Sequence, residues 1–315
     1  MTILSEPRFH NEAAAIEHLE NIVWPEGPVC PHCGGLDRIT KVNGGRPGLK
    51  RCGDCKKQFT VKVGTVFESS HVPLHKWFQA AHLLASSKKG ISAHQMHRTL
   101  KVTYKTAWFM CHRLREAMRD GELAPMGGNG NVVEIDETFI GRLEGQPKRK
   151  AGWGHKNVVL SLVERGGKAR SFHVEGTRIA DIAPIIRANL KREATMNTDE
   201  AHHYREVGRD FARHDSVNHK EEEYVRYTDE KLANGDQYKI HTNTAENYYS
   251  IFKRGMTGVY QHCSEKHLHR YLAEFDFRYS NRIALGIDDT TRARNALRGI
   301  VGKRLTYRDS SVPRA

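Results

Sequence analysis

Residues 131–141 read NVVEIDETFIG. Val132, Val133, Ile135, Phe139 and Ile140 give this run the β-branched and aromatic character of a strand. An acid, Asp136, sits in its middle. A carboxylate half-buried in a sheet is costly unless a charge or a metal pairs with it. The run therefore marks both the start of a sheet and a candidate site. Two further strand-like runs follow, HKNVVLSLVERG and KARSFHVEG, separated by turns. RIADIAPIIRANLKRE has a helical pattern, ATMNTDE is a short strand running into polar residues, AHHYREVGRDFA is helical and DSVNHKEEEYVR is mixed. HTNTAENYYSIFKRGM opens the closing helices, with LHRYLAEFDFRYSNR behind it. Three strands, helix, strand, helix, strand and helices predict an α/β layer on a mixed sheet.

The chain upstream has a different texture. Residues 11–24 predict a short helix ended by Pro25, Gly27 and Pro28. Then Cys30 and Cys33 form one C-x-x-C pair, and Cys52 and Cys55 form a second. Two such knuckles among short β pieces (RITKV, LKRC, QFTVKV) and Gly/Pro turns can set four thiolates tetrahedrally around Zn²⁺. Four sulfur ligands and no histidine make a closed, structural site whose metal supplies folding energy to a segment too short to bury a core. Cys111 and Cys263 are single cysteines on helical patterns and are expected to be core thiols. LHKWFQAAHLLASS, ISAHQMHRTL and TYKTAWFMCHRLREAM predict three helices, the last two joined by a short turn in a helix-turn-helix arrangement. DGELAPMGGNGN, residues 120–131, has the composition of a linker.

Three acids on separate elements are candidates for one site. Asp136 lies on the first strand, Asp199 ends ATMNTDE where a strand hands over to a loop, and Glu246 lies on the helix that opens HTNTAENYYSIFKRG. Carboxylates that converge repel and raise one another's pKa. Two Mg²⁺ or Mn²⁺ ions relieve that repulsion and suit phosphodiester chemistry. Lys253, seven residues after Glu246, shares its helix face and is placed to meet phosphate. Any one of these charges alone is equally a solvated surface group, since the chain holds 37 Asp and Glu. Glu134 and Glu137 flank Asp136, are expected on the other sheet face and stand as second choices. Among the histidines near the site, His241 is the one chosen to orient a water or touch DNA. Asn243 and Asn247 are expected to donate to phosphate or cap the helix, with capping the default for Asn243.

The chain has 315 residues and a formal net charge of +13. The excess is spread along the chain, which favours an anionic partner over a single basic tail. No apolar run reaches the length of a membrane helix, and the first residues lack the pattern of a signal peptide. These features predict a cytoplasmic, nucleic-acid-facing protein with no membrane partner.

In order along the chain, WPEGPVCPHCGG, RCGDCKKQFTVKVGTVFESSHVPLHKWF, VEIDETFIG, NTDEAHHY and HTNTAENYYSIFKRGMTGVYQH resemble the bacterial insertion-sequence DDE transposases with an N-terminal zinc ribbon, the ISXO-type family. The resemblance runs from about residue 24 to residue 282 and fades after Arg282. It implies an α/β, RNase H-like mixed-sheet catalytic core preceded by a zinc ribbon and a helix-turn-helix. By position, Asp136, Asp199 and Glu246 match the three catalytic acids that hold two Mg²⁺ or Mn²⁺ ions, and Lys253 matches the basic residue seven beyond the third. The domains expected on this basis are 1–66 for the helix and zinc ribbon, 67–125 for the helix-turn-helix, 126–285 for the core and 286–315 for a peripheral basic tail. Tyr104, Lys105 and Arg113 are the expected duplex contacts of the third helix, together with Lys253 in the core. The implied activity is metal-dependent cleavage at the inverted repeats of an insertion sequence, followed by joining of the 3′-hydroxyl ends to target DNA. A homodimer or larger assembly on double-stranded DNA, in a bacterial nucleoid, is implied with it. A catalytically inactive regulator and a simple nuclease are the rival readings; the first binds without cutting and the second cuts without joining.

Overall fold

The computed structural model describes residues 2–121, 124–147, 152–232 and 235–306. These form two compact units, one of residues 1–120 with the segment from Gly286, the other Gly121–Leu285.

In the first unit, α1 (Glu12–Val23) begins at Asn11, whose side chain accepts from the Ala14 amide at 3.1 Å. Three short antiparallel strands follow in the order β1-β2-β3: Ile39–Lys41, Lys50–Cys52 and Gln58–Phe59. Next come α2 (Leu74–Ser86), α3 (Ala93–Leu100) and α4 (Tyr104–Met118). Proline at the N-cap of α2 offers no side-chain acceptor, and the Glu12 carboxylate supplies one from α1, taking the Leu74 and His75 amides at 2.9 and 3.2 Å. Ser92 caps α3, Lys101 ends it in the left-handed region at φ 51°, and Thr103 caps α4. That three-residue connection is the expected helix-turn-helix.

The second unit carries β4 (Val132–Ile140), β5 (Asn157–Glu164) and β6 (Ala169–Val174) as an antiparallel meander. Then α5 (Ile179–Asn189) crosses to β7 (Thr195–Thr198), which lies parallel to β4, and α6 (His202–Gly208) crosses to β8 (Arg213–Ser216), parallel to β7. The sheet order is β6-β5-β4-β7-β8. β9 (Arg226–Lys231) and β10 (Gln237–Ile240) form a separate antiparallel pair inside the stretch that the sequence left mixed. Two helices close the unit, α7 (Asn243–Gly255) and α8 (Leu268–Ser280). Val133, Ile135, Leu160 and Leu162 bury one sheet face with Ile182, Ile186, Tyr204 and Val207. Val159 and Val163 bury the other with Tyr248, Tyr249, Phe252 and Phe275. Covering both faces explains why β5 is an almost unbroken apolar run. This is the expected RNase H-like architecture. Met126, which the sequence placed in a linker, is buried and bridges Leu190 at the edge of this core.

The last helix, α9 (Asp289–Arg298), returns to the first unit and corrects the expectation of a peripheral tail. Ala293, Ala296 and Leu297 form a buried stripe among its arginines. Arg292 is itself buried and donates to the Ala85 carbonyl at 3.2 Å. The Val66 amide donates to the Ile300 carbonyl, and Thr65 bridges Val301. Arg308 and the rest of that segment lie outside the described residues.

Candidate functional site

The metal knuckles are the simplest site. Cys30 Sγ lies 3.6 Å from Cys55 Sγ, Cys33 Sγ lies 3.7 Å from Cys52 Sγ, and all four sulfurs fall within 4.8 Å of one another. Ligands at 2.3 Å from a tetrahedral Zn²⁺ stand about 3.8 Å apart, so the donor set fits a structural zinc. Burial pushes the Cys30 thiol up, but the amides of His32 and Cys33 and the neighbouring thiols outweigh it and bring it down to about 7. Gly34 adopts φ +76° at the first knuckle, a left-handed conformation that favours glycine. Trp24 and Phe59 meet edge to face behind the cysteines.

The acids meet at one end of the large sheet. Asp136 stands in the middle of β4, and Asp199 follows β7 directly. The parallel register pairs Glu134 with Asn197, and Asp136 and Asp199 each follow two residues on along the neighbouring segments. Burial, then the charges of Glu137, Asp199 and Glu246, push the Asp136 carboxyl up to about 7, although it accepts from the Glu137 amide at 2.8 Å. Burial and the Glu137 and Glu200 charges raise Asp199 as well. Glu246 occupies the first turn of α7, about half exposed, with His219 Nδ1 at 3.8 Å. Lys253 is exposed on the last turn, its ammonium 5.9 Å from the centre of the Tyr249 ring. Among the described residues, only the four thiols bring three or more donors within 4.8 Å of one another; the three acids are held further apart.

Four readings of single residues change. Glu134 is on the same sheet face as Asp136, two positions away, as strand alternation requires; only Glu137 points to the other face, where His203 Nε2 meets it at 2.9 Å and is itself raised by that bond. Asn243 does not cap α7. Thr242 holds the cap position without a side-chain bond, and fully buried Glu134 does the work, accepting from the Thr244 amide at 2.7 Å, the Ala245 amide at 3.0 Å and the Thr244 hydroxyl at 2.8 Å. His241 faces Glu134 at 3.1 Å, while His219 is the histidine beside Glu246. Arg113 is not a surface contact. It is buried, its guanidinium donates to the Glu68 and Leu305 carbonyls at 2.9 and 3.1 Å, and it packs over Phe109. Tyr104 and Lys105, by contrast, are exposed at the start of α4, with Tyr104 stacked on His94.

Sequence reasoning missed the anchoring group as a whole. Arg165, in the turn after β5, donates to Glu134 at 2.6 Å and to the carbonyls of Lys239 and His241 at 2.6 and 2.9 Å. Tyr249 donates to the Asp136 carbonyl at 2.5 Å and to the Val159 carbonyl at 3.2 Å. Together these bonds fix α7, and Glu246 with it, against β4. A carboxylate two residues from Asp136 on a strand was the one available signal.

The fold and the two sites define a zinc-ribbon protein with an RNase H-like core that carries one acid in the middle of its central strand and another directly after the parallel strand beside it. Residues 127–280 match the ISXO2-like transposase domain, and residues 10–58 match the transposase zinc-ribbon domain. The chain belongs to this family of insertion-sequence transposases. A protein described as an uncharacterized protein in transposable element ISH50, from Halobacterium salinarum, is 28% identical over 288 residues, covering 86% of this chain and 91% of that one. No helix among the described residues is long and apolar enough to cross a membrane.

Proposed function

We propose that the chain binds the terminal inverted repeats of its insertion sequence, hydrolyses DNA at the element ends and joins the freed 3′-hydroxyls to target DNA. The observation that carries this reading is the Asp136 carboxyl on the central strand, which burial and then the charges of Glu137, Asp199 and Glu246 push up to about 7. Carboxylates that resist ionising together are the groups that divalent cations neutralise. In this reading Asp136, Asp199 and Glu246 hold two Mg²⁺ or Mn²⁺ ions, which when bound supply Lewis-acid activation of the attacking oxygen and steady the leaving one. Lys253, on the exposed face of α7, holds a phosphate near the cut bond. Tyr104 and Lys105 contact the end duplex from the start of α4. Residues 1–66 and 67–125 serve recognition and 126–285 the chemistry. Because two ends must be joined, the working form is a homodimer or larger, acting on nucleoid DNA in the bacterial cytoplasm.

The test uses purified protein, Mg²⁺ or Mn²⁺, and plasmid DNA bearing the element ends. End cleavage and strand-transfer products are expected from the wild type. Asp136→Ala and Asp199→Ala should abolish both while end binding persists. Cleavage that survives both substitutions overturns the site; cleavage without strand transfer favours a nuclease, and tight binding without cleavage a regulator.

A further inference from the structure

The segment between β4 and β5, GRLEGQPKRKAGWGHK, is far longer than a hairpin needs and carries five basic residues against one acid. In its described part the Leu143 amide donates to the His155 carbonyl at 2.9 Å, and the Lys156 amide to the Trp153 carbonyl at 2.9 Å, so the base of the loop is closed. At the tip of that closure stands Trp153, 57% exposed. A tryptophan of this size is rarely left in water, and this one is not loose: its ring stacks on Phe139 of β4 at 5.3 Å and 18° between planes. Lys156 Nζ sits 4.4 Å from the ring centre, and Arg142 is exposed on the opposite stem. Phe139 lies three residues beyond Asp136 on the same strand and on its other face, toward the end from which the loop leaves, a run of about 10 Å. A rigidly backed aromatic ring with cations beside it is the arrangement that binds an unstacked base and its phosphates.

The geometry points to Trp153 as a stacking platform for an unpaired DNA base at the loop that leaves the C-terminal end of β4, with Lys156 and Arg142 on the adjoining phosphates. The inference rests on the reading above in taking DNA as the ligand, but it does not depend on cleavage. When the base arrives, the flexible Lys156 side chain swings from the ring face to phosphate, and Phe139 keeps the indole in place.

Binding of (dT)15 to the full chain without divalent cations tests it, because no chemistry then occurs. The chain's tryptophan fluorescence should be quenched by (dT)15, and Trp153→Phe should lose most of that quenching while retaining affinity. Trp153→Ala should weaken binding roughly tenfold, and Lys156→Ala should lower the slope of log K against log salt by about 0.7. A fully paired 15-mer should leave Trp153 unquenched. Equal quenching in wild type and Trp153→Phe, equal affinity in Trp153→Ala, no binding of (dT)15, or equal quenching by the duplex each overturns the platform. End cleavage that persists in Trp153→Ala with quenching lost leaves the catalytic reading standing, and cleavage that survives Asp136→Ala and Asp199→Ala with Trp153 quenching intact overturns the catalytic reading and leaves the platform.

Discussion

Asp136 shows how far one residue can be understood from the run around it. An acid among β-branched and aromatic neighbours already marks a site, because the only inexpensive surroundings for it are charged ones. What the run does not show is which of its three acids looks where. Alternation puts Glu134 and Asp136 on one face, yet one ends up capping a helix and the other facing carboxylates, a distinction made by residues 30 to 110 positions away. Arg113 was illegible for the same reason: a basic residue on the third helix has the look of a DNA contact until the carbonyls of Glu68 and Leu305 come to it from distant segments. The raised carboxyl of Asp136 has a measurable consequence. Its folded value of about 7 lies above its ordinary 3.8, so folding favours the protonated form. That contribution is complete below about pH 4 and is lost as pH rises through 7. In metal-free protein, Asp136→Asn, neutral at every pH, should raise Tm relative to wild type at pH 8 and change it little at pH 4. Thermal melts across that range check this, and matching Tm values at pH 8 would mean that Asp136 carries no such strain.

At the level of elements, local order governs what sequence reveals. The zinc knuckles were fully legible because their ligands and turns lie within 26 residues, and the Ser92 and Thr103 caps sit beside the helices they begin. Two helix starts are different. α2 and α7 begin without a local side-chain cap, and each borrows a glutamate, Glu12 from α1 and Glu134 from β4. A borrowed cap fixes one element against another, which a local cap cannot do, and in α7 it also sets where Glu246 emerges. The Glu134 carboxylate is held well down, since the His241, Arg165 and Ala245 contacts outweigh the effect of its burial. It therefore works as an anion, its charge met by Arg165 and by the positive end of the helix. Glu134→Gln keeps the shape but leaves Arg165 without its partner charge, and breaking a buried pair in this way costs about 3–5 kcal/mol. Urea unfolding of the second unit should register that loss. Asn243→Ala, at the position where sequence placed the cap, should cost far less than Glu134→Gln; equal losses would show that Glu134 does not anchor α7.

For the molecule as a whole, the chain's order and its compact units do not coincide. The second unit is one continuous segment with its own two-faced core, while the first is closed by α9, which arrives only after that core has been made. Basic composition hid this: seven arginines and lysines after residue 291 suggested a solvated tail, and the scattered apolar positions between them did not stand out. Yet Ala293, Ala296, Leu297 and Ile300 are buried, and Arg292 and Lys303 turn their long side chains to the carbonyls of Ala85 and Ala117. Long basic side chains can cover apolar surface in this way while keeping their charged ends hydrogen-bonded. Truncation after Leu285 should then act on the distant end of the sequence. The first unit loses its closing helix, exposes the facing side of α2 and should melt at clearly lower temperature. The second, whose core is built from its own strands and helices, should keep its transition. Calorimetry of full-length and 2–285 chains separates the two events, with limited proteolysis of residues 60–118 as a second reading. A single unchanged melting profile after truncation would mean that α9 contributes nothing to the first unit's stability, and the buried stripe would then have to be explained by something other than closure.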